Sequence, residues 1–86
     1  MTCRIDRFSN DQGVLLKVSG RITMDDLGVL RTALAGSRVV AIELTEVELV
    51  DRDAVRFLAD VEAQGIELRQ CPPYIRKWVA GERRRP

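Results

Sequence analysis

The first twenty residues alternate between apolar and polar positions, as in strands that bury one face. Residues 3–8 alternate loosely, and residues 14–18 alternate more regularly until Gly20 ends the pattern. Between these segments, Asn10-Asp11-Gln12-Gly13 is a dense turn signal. The pattern therefore predicts an antiparallel hairpin whose first strand lies at an edge of the sheet.

Helical spacing replaces this alternation after residue 22. Thr23, with Asp26 three residues later, matches a capping box, and Gly36 is suited to end the helix. Gly28 lies inside the helix at a cost of about 1 kcal/mol relative to alanine, so it either permits a close backbone approach or is simply tolerated. The predicted apolar stripe consists of Leu27, Leu30, Ala33 and Leu34.

The second half of the chain predicts a buried strand, a short strand and two more helices. Residues 39–42 are apolar on both faces, as expected of a central parallel strand that helices cover on both sides. Asp51 is placed as the N-cap of the next helix, and Gly65 ends that helix. Residues 66–70 form a short fourth strand, after which Pro72-Pro73 begins a last helix. The predicted buried positions of the two helices are Ala54, Phe57, Leu58, Val61, Ile75, Trp78 and Val79.

The resulting order, β-β-α-β-α-β-α, predicts an α/β fold. It has a mostly parallel sheet of four to five strands, an initial antiparallel hairpin and about three helices. With 86 residues, the chain is expected to form a single domain over residues 1–86. Residues 81–86 are expected to be a flexible basic tail.

Composition and charge narrow the classes of function. The chain is 45% hydrophobic and 31% charged with a net charge of +1, which is typical of a soluble globular protein and provides no overall field for nucleic acid or anionic membranes. No apolar run is long enough to span a membrane, and the charged residues Arg4, Asp6 and Arg7 do not fit a signal peptide. We therefore expect a cytoplasmic protein.

The side chains that usually perform catalysis are scarce. There is no histidine, Cys3 and Cys71 form no CxxC motif, and there is no glycine-rich phosphate loop. We therefore expect no enzyme activity, no cofactor and no metal, with both cysteines as small buried hydrophobes rather than a disulfide. The acidic residues that offer a Mg²⁺ site as an alternative are Glu43, Glu46, Glu48, Asp51 and Asp53.

The last helix and tail offer a nucleic-acid strip as a further alternative. Its basic residues are Arg76, Lys77, Arg83, Arg84 and Arg85, with Tyr74 and Trp78 interleaved. The low net charge favours burial of Trp78 in the core instead. A second alternative is that Trp78 anchors a protein partner.

The segment Glu43-Leu44-Thr45-Glu46-Val47, followed by a helix that begins near Asp51, resembles the central corner of the STAS domain, the fold of bacterial anti-sigma-factor antagonists. The family's motif there is Asp-Ser-Ser/Thr-Gly. Asp51 matches the aspartate, Arg52 stands at the position of the phosphorylatable serine, and Asp53 and Ala54 replace the next two residues. The resemblance covers residues 14–71 and also includes Val18-Ser19-Gly20-Arg21-Ile22. The family usually adds a fifth strand and a longer last helix.

The resemblance implies a protein-binding function. In the family, the helix after this motif and the adjoining loop bind a partner, commonly a serine kinase that is also an anti-sigma factor, and phosphorylation abolishes binding. Because arginine cannot be phosphorylated, the resemblance implies a binding module without that switch. The alternatives are a form kept inactive by the charge of Asp53, a regulatory subunit of a membrane transporter, and a sensor of a small ligand.

The predicted contact surface lies on the loop at residues 46–50 and on the outer face of the following helix. A weak homodimer through an exposed edge strand is also left open. The predicted contact residues are Leu49, Asp51, Arg52, Asp53, Arg56 and Asp60, with Gln64 at the end of the same helical face.

Overall fold

The computed structural model describes residues 3–36 and 38–83. Its elements are β1 (Cys3–Asn10), β2 (Gly13–Ile22), a 3₁₀ turn (Met24–Asp26), α1 (Leu27–Ala35), β3 (Val39–Val50), α2 (Arg52–Ala63), β4 (Glu67–Arg69) and α3 (Pro73–Arg83). The strands form one sheet in the order β1-β2-β3-β4, in which β1 is antiparallel to β2 and the other pairs are parallel. The predicted α/β class, element order and edge position of β1 are confirmed, with four strands among the described residues.

The three helices cover only one face of the sheet. Because the strand order follows the chain order without reversal, crossovers of one hand place successive helices on the same side. A single core cluster joins the helices to that face, with Leu16, Ile42 and Leu44 among its strand residues. The prediction that helices cover the central strand on both faces is therefore wrong. The opposite face of the sheet, which we call the open face, carries polar and charged side chains that include Lys17, Ser19, Glu43 and Glu46.

β3 is three times as long as its apolar run suggested, because two β-bulges interrupt its alternation beyond residue 42. A further register shift against β2 lies within the apolar run, at Val40. Opposite the single residue that separates Lys17 from Ser19 in β2, β3 carries two residues between Glu43 and Glu46. Another extra residue, Glu48, lies between the partners of Gly20 and Arg21. Each bulge adds one residue to the two-residue repeat of a strand. The buried positions Leu44, Val47 and Val50 therefore lie three residues apart. The predicted loop at residues 46–50 is therefore strand, and β2 continues past Gly20 to Ile22 to pair with it.

The remaining corrections concern the ends of elements. β1 extends to Asn10, β4 is shorter than predicted, and the first helix begins as a 3₁₀ turn rather than as regular α-helix. In α3, Ile75 and Val79 are buried, but Trp78 is 39% exposed and lies beside the contact with the core, so its predicted core role is wrong. Residues 81–83 belong to α3 rather than to a flexible tail. The rest of the predicted tail, residues 84–86, lies outside the described residues.

The two cysteines are free and far apart in the sheet. Cys3 belongs to the edge strand β1, whereas Cys71 follows β4 at the opposite edge. Cys3 is buried as predicted, and Cys71 is half-buried. Burial raises the pKa of the Cys3 thiol, with a further contribution from the Asp26 carboxylate, and burial also raises the pKa of Cys71. Both thiols are therefore poor nucleophiles at neutral pH.

No helix in the described part of the chain is both long and apolar enough to cross a membrane. The longest, α2, has 12 residues, whereas a span requires about 20.

Candidate functional site

Asp51 joins two helix starts at the carboxyl end of the parallel strands. It has an extended backbone between β3 and α2, and its Oδ1 atom accepts a hydrogen bond from the Ala54 N–H at 2.8 Å. Its Oδ2 atom accepts a second bond, from the Met24 N–H at 2.8 Å, at the start of the 3₁₀ turn. The Asp51 N–H in turn donates to the Ile22 carbonyl oxygen at 3.2 Å. The predicted N-cap is confirmed, and the same carboxylate also fixes the chain that leads into α1.

A second carboxylate supports this end of the sheet. Asp26 Oδ2 accepts hydrogen bonds from the Thr23 N–H at 2.9 Å and from the Thr23 hydroxyl at 3.1 Å. Asp26 is the one charged side chain that is buried among residues 3–36 and 38–83. The predicted capping pair of Thr23 and Asp26 is thus present, and both helix starts are held by hydrogen bonds of the kind that limits fraying.

Three large apolar side chains are exposed around this corner. Met24 is 62% exposed, Leu49 is 48% exposed and Tyr74 is 51% exposed. Met24 follows the end of β2 and Leu49 is next to last in β3, whereas the Tyr74 hydroxyl donates to the Glu48 carbonyl oxygen at 2.7 Å. These contacts place all three at the same end of the sheet. We call Met24, Leu49 and Tyr74 the corner patch.

The outer face of α2, which begins at the same end of the sheet, carries most of the predicted contact residues. Arg52, Asp53, Arg56 and Asp60 are all exposed there, as is Gln64 just after the helix. The spacing of four between Arg52, Arg56 and Asp60 aligns them along the helix. Asp51 differs from these residues because it is half-buried and both of its carboxylate oxygens accept internal hydrogen bonds. Asp51 therefore holds the neighbouring surface residues in position.

An ion-pair cluster joins α2 to α3. Glu62 accepts a hydrogen bond from Arg76 at 2.6 Å and another from Arg83 at 3.1 Å. Burial raises the pKa of Glu62, but the bonds and charges of both arginines outweigh that effect, so its pKa lies below the usual value. The bond to Glu62 raises the pKa of Arg76. Two of the basic residues in the alternative nucleic-acid strip are thus paired with this carboxylate.

A groove of about 380 Å³ lies between α1 and α2, next to the outer face of α2. The Arg31 guanidinium stands 5.6 Å from the centre of the Phe57 ring, within the range of a cation–π contact. The residues that line the groove include Arg31, Leu34, Phe57, Asp60, Gln64 and Ile66.

The acidic residues of the alternative Mg²⁺ site are not brought together. Across the described ranges, no group of three or more cysteine, aspartate and glutamate side chains is arranged to hold a metal ion. Glu46 lies on the open face beside Lys17, with 3.8 Å between the Glu46 Oε1 and Lys17 Nζ atoms. Asp51 is engaged in capping, as described above.

Met24 and Glu62 are the main residues of this region that the sequence patterns do not identify. Met24 follows the N-cap Thr23, and only the hydrogen bond to Asp51 shows that it lies beside β3. Glu62 interrupts no pattern in α2, and its two arginine partners lie 14 and 21 residues later. The sequence indicates Tyr74 only as part of a basic strip, because its contact with β3 depends on how α3 packs.

Comparisons of the chain with protein-family models, with curated proteins and with solved structures return no match.

Proposed function

We propose that this chain is a non-catalytic protein-interaction domain that binds its partner through the corner patch and the outer face of α2. The observation that carries the proposal is the presence of three exposed apolar side chains on a corner that hydrogen bonds hold rigid. Monomeric proteins rarely group large apolar side chains at the surface without a binding role. Charged residues border the patch, as in interfaces that have an apolar centre and a polar rim.

The partner belongs to a regulatory class. The resemblance of residues 14–71 to STAS domains favours a serine kinase of the anti-sigma type, or alternatively a subunit of a membrane transporter. Arg52 begins α2 at the position of the family's phosphorylatable serine, so binding proceeds without a serine-phosphorylation switch there. We propose that Arg52 and Arg56 contact acidic residues of the partner and that the protein acts in the cytoplasm.

A small ligand in the groove between α1 and α2 is the second candidate function. Arg31 and Asp60 provide opposite charges at this groove, and Phe57 provides an aromatic wall. A ligand that changed the outer face of α2 would then regulate the first function.

Affinity capture from lysate, with matched variants as baits, tests the proposal. Leu49→Ser removes an exposed side chain from the corner patch. Phe8→Ser is the control, because Phe8 is 53% exposed at the distant edge strand. Arg52→Glu reverses a charge on α2, with Lys77→Glu on α3 as its control. All four variants should retain the wild-type circular dichroism spectrum.

We expect Leu49→Ser and Arg52→Glu to weaken binding of the same captured protein by roughly tenfold or more, which is typical of residues at the centre of an interface. Phe8→Ser and Lys77→Glu should leave it nearly unchanged. Equal capture by wild type and both test variants, or no specific capture by wild type, would contradict the proposal. If the two control variants lost as much binding as the two test variants, the contact would lie elsewhere on the protein.

A further inference from the structure

The outer edge of β1 is open for pairing with another strand. β1 is the first strand of the sheet, and no other strand of the described residues pairs with its outer side. The Val14 N–H donates to the Arg38 carbonyl oxygen at 2.8 Å, on the side of β3. In an antiparallel pair, hydrogen-bonded and non-hydrogen-bonded positions alternate, so Ser9, opposite Val14, directs its backbone N–H and C=O outward. The same holds for Arg7, Ile5 and Cys3.

Charged side chains at this edge would be expected to prevent such pairing. Arg4 and Asp6 are two residues apart on the open face and form an ion pair, with 3.3 Å between Arg4 Nε and Asp6 Oδ2. However, the segment Arg-Ile-Asp is complementary to itself when two copies run antiparallel. If Ile5 stands opposite Ile5 of a second copy, each Arg4 faces an Asp6 and each Asp6 faces an Arg4.

The neighbouring registers lack this complementarity. Because the outward backbone groups belong to alternate residues, the register can shift only in steps that keep these residues opposite one another. One step places Asp6 opposite Asp6 of the second copy, and the opposite step places Arg4 opposite Arg4. Like charges directly opposite each other on adjacent strands are destabilising. The charges therefore select the register centred on Ile5.

The helical layer beside this edge provides a second, independent observation. An open groove of about 690 Å³ lies next to β1, and its lining includes Arg7, Asp25 of the 3₁₀ turn, and Gly28, Val29, Thr32 and Gly36 of α1 and its end. The Arg7 Nη2 atom donates to the Ala33 carbonyl oxygen at 3.3 Å, which holds α1 close to the edge strand. Since all helices lie on one face, pairing two β1 strands places both α1 helices side by side. The small residues permit close approach, and Val29 would be covered.

We propose that the protein forms a symmetric homodimer in which two β1 strands pair antiparallel about Ile5, so that two sheets become one continuous sheet. The occupant of this edge is a second copy of the chain, identified by the complementary Arg4 and Asp6. This surface lies at the edge of the sheet opposite β4 and leaves the outer face of α2 open. The dimer therefore does not depend on the proposed binding function, and either can fail without the other.

Sedimentation equilibrium of the full chain over a wide concentration range, with charge-swapped variants, tests the dimer. Arg4→Asp and Asp6→Arg each place like charges opposite one another twice per dimer. The double variant Arg4→Asp/Asp6→Arg restores complementarity in the opposite sense. Glu67→Arg is the matched control, because Glu67 forms an equivalent ion pair with Arg69 on β4 at the far edge.

We expect the wild type to dimerise and each single charge reversal to raise the dimer dissociation constant by roughly tenfold or more. The double variant should return to within about threefold of wild type, since paired charges couple in this way. Glu67→Arg should dimerise as the wild type does.

A wild type that remains monomeric at millimolar concentration would overturn the proposal. So would a dimer that both single variants leave unchanged, because it would use another surface. Failure of the double variant to recover would exclude this register. Because the Arg4 side chain is exposed, Arg4→Asp still tests the dimer if Asp6→Arg unfolds. Circular dichroism checks that each variant is folded.

Discussion

Replacement of Asp51 tests whether one carboxylate holds two helix starts. In Asp51→Ala, the Ala54 N–H loses its cap, at a cost of about 0.5–2 kcal/mol. The Met24 N–H also loses a charged acceptor, at a cost of about 1.5–3 kcal/mol. Both bonds are 2.8 Å long, so we expect a combined loss of about 2–5 kcal/mol. This is a large part of the roughly 4–13 kcal/mol expected for an 86-residue domain.

Asp51→Asn separates the two contributions. Asparagine caps helices about as well as aspartate, so its carbonyl oxygen can still accept from the Ala54 N–H. Its amide group would then face the Met24 N–H, where two donors meet. We therefore expect Asp51→Asn to lose about 1–3 kcal/mol, less than alanine but clearly more than zero. Urea denaturation followed by far-ultraviolet circular dichroism measures all three proteins.

Asp53→Asn is the control for the helix dipole. Asp53 is exposed in the first turn of α2, where removal of its charge should cost about 0.3–1 kcal/mol. An Asp51→Asn protein as stable as the wild type would refute the second hydrogen bond. A cost for Asp53→Asn equal to that for Asp51→Asn would show that charge near the helix end, rather than the two bonds, is responsible.

Four further predictions concern other parts of the chain. Gly28→Ala should raise the melting temperature, because an added Cβ meets nothing within 4 Å and alanine favours the helix by about 1 kcal/mol. Gly13→Ala should lower the melting temperature by more than Gly28→Ala raises it. The Gly13 backbone has a φ of 139°, and an added Cβ would lie 2.7 Å from the Val40 side chain. Glu62→Gln should cost about 0.5–1.5 kcal/mol at pH 7 in urea titrations. Since the pKa of Glu62 is lowered by folding, that stabilisation exists above its unfolded pKa and should vanish as pH falls through the folded value; a difference that persisted in acid would refute the ion-pair account. Trp78, the one tryptophan, should show red-shifted emission and iodide quenching, and a blue-shifted, protected indole would contradict its exposed position.

Much of the fold follows from local patterns in the sequence. The bonds by which Thr23, Asp26 and Asp51 cap their own helices are local, so the helix starts that these residues predict are found in the structure. Similarly, Gly65 has a φ of 95° just after α2, where a left-handed residue ends the helix. Signals of this kind require no knowledge of distant contacts.

Features that depend on packing were predicted less well. The helices cover one face because the strand order has no reversal, which no local pattern reveals. Trp78 follows helical spacing from Ile75, yet the contact of α3 with the core is narrow enough to leave it at the side. For the candidate site, the exposed face of α2 could be derived from periodicity. Of the corner patch, the sequence predicts only Leu49 as a contact residue, because the grouping with Met24 and Tyr74 brings together three distant segments.

The two bulges in β3 beyond residue 42 have a consequence for how the length of this chain can vary. Within these bulges, Thr45 and Glu48 are the exposed residues without a single opposite partner in β2. Deleting either one restores the alternation at that bulge, so Leu44, Val47 and Val50 would still face the core and Leu49 would still face outward. Deleting Val47 instead would remove a core residue and bring Glu48 to its place. Related proteins can therefore be one or two residues shorter at these two positions and keep the same surface at the corner.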